Sequence, residues 1–222
     1  MIKDIVLWLH IVCGGALLLL GLLQIIFKKG GKRHRDLGKF YVILMLFVCG
    51  SALFISSKEI MRQNSIGHLF LFVIALFSQY AVVSGYLLGK FKSNRSFFLG
   101  KIVVVYAWVN VAAFACLTAL FWSSFGWICL VFGTLQLLGA LEDTKYYWTS
   151  SNKLRKGTRY WLYTHSGRML GSYIAAVTAF LINVIECPYP LVLWLGPTVI
   201  GSALIVWFNK TVLNTMKETG MD

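Results

Sequence analysis

Acidic residues are scarce in this chain: Asp and Glu together number 8 against 21 Lys and Arg, and charged residues make up only 13% of its 222 positions. No carboxylate is expected deep within an apolar stretch, which argues against a transporter that carries protons on a buried Asp or Glu. Paired cysteines are missing too. None of the five cysteines stands in a CxxC spacing, so neither a zinc ribbon nor a disulfide framework is indicated. Cys13, Cys49, Cys116 and Cys129 read as small apolar filler, and only Cys187 is expected at the outer face. There is no G-x-S-x-G, no H-E-x-x-H, no P-loop and no Gly-rich dinucleotide fingerprint, which argues against ordinary hydrolase or kinase chemistry. Polar sequence is also too short to build a separate soluble domain.

What the chain has in quantity is apolar sequence, 58% of it. Stretches of roughly 18 to 24 apolar residues are long enough to cross a bilayer as helices. They lie near 5–27, 40–57, 66–89, 99–122, 124–142, 167–186 and 189–208. The first has its basic cluster after it and no small-residue cleavage site, so it reads as a retained helix rather than a signal peptide. Basic residues fill alternate gaps: Lys28 to Lys39 after the first stretch, Lys90 to Lys101 after the third, Lys145 to Arg168 after the fifth, and Lys210 and Lys217 in the tail. Only Lys3, Lys58 and Arg62 are left for the other side. The positive-inside rule then places the N-terminus outside and, after seven crossings, the C-terminus in the cytoplasm. The net charge of +13 accordingly points to anionic inner-leaflet lipid as partner, and not to nucleic acid. The expected fold is an all-α, polytopic membrane bundle of seven transmembrane helices forming one domain over 1–222.

The stretches echo one another. Gly14, Gly21 and Gln24 in the first share a G-x6-G-x2-Q pattern with Gly126, Gly133 and Gln136 in the fifth, and these offsets lie on one helix face. Arg35-Asp-Leu-Gly leading to Tyr41 is echoed by Arg168-Met-Leu-Gly leading to Tyr173. A helix-pair repeat follows, and repeats in membrane proteins often frame a binding site; close packing of small residues is the plainer use of the glycines. Pro197 predicts a kink in the last stretch. Tyr146, Tyr147, Trp148, Tyr160, Trp161 and Tyr163 have the make-up of an aromatic belt on an amphipathic surface segment.

All four histidines fall at helix ends, His10 and His68 on the outer side and His34 and His165 on the inner. Two histidines at one depth on neighbouring helices hold a haem iron axially, and Gly14 leaves room beside His10 for a flat ring. Histidine-based binding of haem b, serving electron transfer across the membrane, is the sharpest expectation. A zinc-type metal site is not expected, because no third ligand stands near the outer pair. The inner histidines each belong to a basic helix entrance, where Arg35 and Arg168 suit an anionic lipid head group or pair with Glu142 and Asp143. A small-molecule or lipid-handling protein with a cavity lined by Gln24, Asn110 and Gln136 is the alternative function, and an accessory membrane scaffold the third.

The run His34-Arg-Asp-Leu-Gly-Lys-Phe-Tyr-Val42, preceded by His10 and Gln24, resembles the domain of unknown function family 2306, a group of bacterial multi-pass membrane proteins. The later element, His165-Ser-Gly-Arg168 continuing to Thr178, looks like that family's second motif, with His165 and Arg168 separated where the family has them adjacent. The resemblance implies a helical membrane fold in a bacterial inner membrane. It brings no activity, ligand or protein partner with it.

Overall fold

The computed structural model describes residues 2–63, 66–91, 97–122, 126–148 and 160–218, and among them there are helices and no strands. The helices are α1 (Ile2–Ile26), α2 (Lys32–Gln63), α3 (Ile66–Phe91), α4 (Phe97–Leu120), α5 (Gly126–Trp148), α6 (Tyr160–Val184) and α7 (Pro190–Glu218). Several outrun their apolar stretches. At ~1.5 Å per residue α2 is about 48 Å long, well beyond a ~30 Å hydrocarbon core. The run from Arg33 to Lys39 therefore forms the first turns of a helix rather than a loop. Tyr160, Trp161 and Tyr163 likewise open α6, and Tyr146, Tyr147 and Trp148 close α5. They are helix ends on the two sides of the basic sequence at 149–159, which lies outside the described residues.

Among the described residues, six helices are long and apolar enough to cross a membrane, and α5 is not among them. Seven such helices were expected. The start of the expected stretch at 124–142 lies outside the described residues, and the rest of α5 carries Gln136, Glu142, Asp143 and Lys145 toward its end. Helix α5 nonetheless lies antiparallel along α4. Gly133 meets Phe114, the Gln136 amide reaches the Ala107 carbonyl, the Trp108 indole donates to Thr144 Oγ1 at 2.9 Å, and Tyr147 packs on Gly100.

The other neighbours are antiparallel as well. The ends of α1 and α2 are tied by Lys3 to Glu59 on one side and by Gln24 to the His34 carbonyl on the other. Helix α3 is the hub, packed on α2 and α6 and more lightly on α4 and α5. More than half of its apolar stretch is buried. The polypeptide turns after α1 at Gly30, whose φ of +76° is a left-handed conformation that glycine adopts without penalty. There the Lys29 ammonium donates to the Gln24 and Ile25 carbonyls, satisfying groups the helix end leaves open.

The exterior is apolar, unlike that of a water-soluble bundle, and the mainly apolar core holds a minority of polar groups. Large apolar side chains such as Trp8, Val12, Ile43, Val105, Leu138 and Ile200 face outward, while Ser84, Asn110, Gln136, Asp143, Ser172 and Thr178 are buried. Buried hydroxyls satisfy themselves on their own helices, as Ser84 does on the Tyr80 carbonyl and Thr178 on the Ile174 carbonyl. Toward the face from which α1 starts, the interior is aromatic. Phe70 stacks on Trp194 with ring centroids 4.9 Å apart and meets Phe132 edge-on, joining α3, α5 and α7. Toward the opposite, basic face, the interior is polar.

Candidate functional site

The polar interior centres on Asp143, which has no exposed surface. It sits five residues from the end of α5, where the helix continues past the apolar stretch and carries the carboxylate into the bundle. An unpaired charge there would be costly, and two side chains from two other helices answer it. The Arg168 guanidinium of α6 forks onto both carboxylate oxygens, Nη2 to Oδ1 at 2.8 Å and Nη1 to Oδ2 at 3.0 Å. The Tyr80 hydroxyl of α3 donates to Oδ2 at 2.7 Å. Arg168 also reaches the Gly139 carbonyl and lies 5.4 Å from the centre of the Tyr80 ring, within cation–π range. Fork geometry of this kind gives both strength and a fixed orientation. Asp143 is thus buried within the bundle although it stands near the end of its helix. Glu142, one residue earlier, is exposed.

Arg35 and Arg168, which the sequence pairs as equivalents, have different surroundings. Arg35 is exposed and donates to the Gly30 carbonyl at 3.0 Å. Arg168 is committed to Asp143, so its charge is balanced before any head group arrives.

Two turns along α5 from Asp143, Gln136 is fully buried, as is Asn110 of the neighbouring α4. The Asn110 amide donates to the Tyr106 carbonyl at 2.8 Å and the Gln136 amide to the Ala107 carbonyl at 3.5 Å. Neither amide oxygen has a partner. Gln24 does not join them. It lies on α1, which packs on α2 and α6, and donates to the His34 carbonyl at 3.0 Å. A single cavity lined by Gln24, Asn110 and Gln136 is therefore absent from this arrangement.

The histidines separate into two situations. His10 Nδ1 is 2.7 Å from Ser51 Oγ, whose own proton is given to the Phe47 or Val48 carbonyl, so the imidazole donates. His68 lies instead where its charge is felt at Glu59. The two imidazoles of the outer pair thus have different surroundings. In the inner pair the charges of His165 and Lys29 are felt at His34. His165 Nδ1 lies 2.7 Å from the Gly85 carbonyl, an acceptor only, so Nδ1 carries the proton and Nε2 the lone pair. The His165 ring rests on Gly89, where a Cβ would stand 2.5 Å from Nδ1. His34 Nδ1 is buried without a partner. Lys29, outside the helices at this end, has its ammonium pushed below its ordinary value by loss of solvent.

The repeated glycines divide in the same way. Gly21 accepts the Tyr173 ring and Gly133 the Phe114 side chain, whereas Gly14 has open space before it. The surroundings of Gly126 lie outside the described residues. Among the described residues no group of three or more His, Cys, Asp or Glu side chains is arranged to hold a metal ion. Sequence reasoning named Arg168 and Asp143 as possible partners but gave no place to Tyr80. No family model, no curated protein and no solved structure matches the chain.

Proposed function

We propose that this chain is an integral membrane protein of seven crossings that binds and handles a small polar solute inside its bundle. The observation that carries the reading is the fully buried Tyr80–Asp143–Arg168 cluster linking three helices of a molecule whose exterior is apolar. Apolar residues of similar volume replace a buried ion pair without loss of stability in many proteins. Packing alone therefore gives no reason for this one, while ionisable groups inside membrane bundles mark solute and ion pathways. The α4–α5 hairpin bears on the hub helix α3 only lightly, and the cluster lies across that joint. Release of Arg168 from Asp143 would free one charge for the solute and loosen the hairpin together.

Seven crossings are supported by α5 running beside α4, which is itself long and apolar enough to span. The basic residues gathered at one face support an outside N-terminus and contact with anionic lipid at the cytoplasmic side. Kinship with family 2306 and a bacterial inner-membrane location rest on the runs from His34 to Val42 and from His165 to Thr178.

The test is thermal unfolding of the detergent-purified protein against classes of small solute: amino acids, sugars, nucleosides and organic anions. One class is expected to raise the midpoint of the wild type and to leave an Asp143→Leu, Arg168→Met double variant unmoved. No response from any class, with the double variant as stable as the wild type, would reduce the cluster to packing.

The inner histidines favour a second reading, in which His34 and His165 hold a haem. The bond from His165 Nδ1 to the Gly85 carbonyl fixes its ring and leaves Nε2 free, the arrangement iron ligands use. When bound, haem would supply one-electron chemistry. A purified sample grown with haem supply is expected to show a Soret band that shifts on dithionite reduction and is lost in a His34→Ala, His165→Ala variant. A colourless protein would end this reading.

A further inference from the structure

We infer that the solute taken up at the Tyr80–Asp143–Arg168 cluster is a zwitterion of the α-amino acid class, its carboxylate held by Arg168 and Tyr80 and its ammonium by Asp143. This rests on the solute-handling reading and names the solute's chemistry. The donors and acceptors of the cluster come from different parts of the bundle. Arg168 and Tyr80 belong to α6 and α3, which are fastened to each other where His165 Nδ1 donates to the Gly85 carbonyl at 2.7 Å. At Gly85 the two helices come so close that an added Cβ would stand 3.0 Å from the Arg168 Cβ. Asp143 belongs to α5, whose Gly139 carbonyl also accepts from the guanidinium at 3.4 Å. One wall thus presents a guanidinium and a hydroxyl proton, the other a carboxylate and a carbonyl, and α5 bears on α3 only lightly.

The charge count selects the solute. A lone carboxylate on Arg168 would strand Asp143 as a buried anion, and a lone amine on Asp143 would strand Arg168. A zwitterion set between the two walls replaces one ion pair by two. The net charge of the site is then unchanged, and no proton or second ion has to enter with the solute. Its planar carboxylate matches the guanidinium fork, and the Tyr80 hydroxyl, which now donates to Asp143 Oδ2 at 2.7 Å, has the same bond to give to a solute oxygen. The resting pair leaves one oxygen short: Oδ1 lies 2.8 Å from Nη2 but receives no aligned hydrogen. Arg168 is also the reachable partner, its side chain 10% exposed against 0% for Asp143. On the adjoining face of α6, Gly167 and Gly171 have nothing within 4 Å of where a Cβ would stand. The carboxylate therefore meets Arg168 first, and Asp143 is uncovered as the α4–α5 hairpin gives way. Tyr80, Tyr106, Ala107 and Ala140 pack together beside the charges, a setting that favours an apolar side chain on the solute.

The experiment follows the unfolding midpoint of the wild type in lipid nanodiscs with each common amino acid in turn, and then measures binding of a responding one in radiolabelled form. The comparison is with its N-acetyl form and its methyl ester, which keep the side chain and carry one charge each. Saturable binding of the free amino acid is expected, with both blocked forms weaker by at least about tenfold. Asp143→Asn removes the partner of the ammonium and the carboxylate that competes for Arg168. In that variant the preference is expected to reverse, the N-acetyl form stabilising more than the free amino acid. Should Asp143→Asn fail to fold, the comparison of free and blocked forms on the wild type decides alone. Equal binding of a blocked form to the wild type, or an unchanged preference in a folded Asp143→Asn, overturns the inference. A response to sugars, nucleosides or organic anions with none to any amino acid removes the zwitterion and leaves solute handling in place. No response to any solute removes both.

Discussion

At the scale of single residues, Asp143 and Arg168 are coupled so tightly that neither can be removed alone. Taking away one partner leaves an uncompensated charge among apolar neighbours, a loss of about 3 to 5 kcal/mol in buried pairs. Arg168→Gln is therefore expected to unfold at a markedly lower temperature than the wild type, and Asp143→Leu with Arg168→Met to recover most of that loss. Circular dichroism during heating in detergent checks both, and equal destabilisation by the single and double changes would contradict the coupling. Arg168 and Asp143 were legible as partners in the sequence because opposite charges at one membrane depth have few alternatives. The depth of Asp143 was not legible. An apolar window closes where charge begins, whereas a helix continues for as long as its backbone bonds are made, and α5 continues to Trp148. Tyr80 was hidden for a different reason: a tyrosine within an apolar stretch carries no mark of which neighbour its hydroxyl will reach.

At the scale of helices, the same glycine motif does two different things. In lipid, apolar burial gives helices no reason to associate, so close backbone approach and complementary shape carry the packing. Gly21 lies under the Tyr173 ring, where an added Cβ would stand 2.2 Å from ring carbons, and Tyr173 is itself held by its hydroxyl on the Leu18 carbonyl at 3.1 Å. Gly14, one motif step earlier, faces open space. Gly21→Ala is expected to cost about 1 to 3 kcal/mol through forced repacking. Gly14→Ala is expected to be neutral or to gain up to ~1 kcal/mol from helix propensity. Unfolding midpoints of the two variants, measured side by side, decide this, and equal effects would mean that the α1–α6 contact is not what the glycine serves. The helices themselves were legible because long apolar runs admit little else in a membrane. Their partners were not, since a periodic stripe shows which face is buried and leaves open which helix covers it. His10 illustrates the limit: its stripe faces the bundle, yet its partner is Ser51 of α2 and not His68 of α3.

At the scale of the whole molecule, an apolar exterior with polar groups held inside fits a single solvent, the bilayer, and the remaining question is direction. Neighbouring helices pair antiparallel from α1 through α7, so the starts of α1, α3, α5 and α7 share one face and their ends the other. Lys28, Lys29, Arg33, Arg35 and Lys39 stand at the second face together with Lys90, Lys101 and Lys145, whereas the first carries Lys3 paired to Glu59 and a few exposed cations. Moving the second face across a membrane would drag many hydrated charges through hydrocarbon, which is the physical content of the positive-inside rule. Cys187 provides a native probe, because it lies in the link after α6, on the first face, while Cys13, Cys49, Cys116 and Cys129 lie within helices. A membrane-impermeant maleimide applied to spheroplasts is expected to modify Cys187 and to lose its signal in Cys187→Ser. Lys29→Cys in that background is expected to react only after the membrane is opened. Labelling of Lys29→Cys in intact cells, with Cys187 protected, would turn the molecule over and place the Tyr80–Asp143–Arg168 cluster nearer the outside, where a solute would meet it first from the external medium.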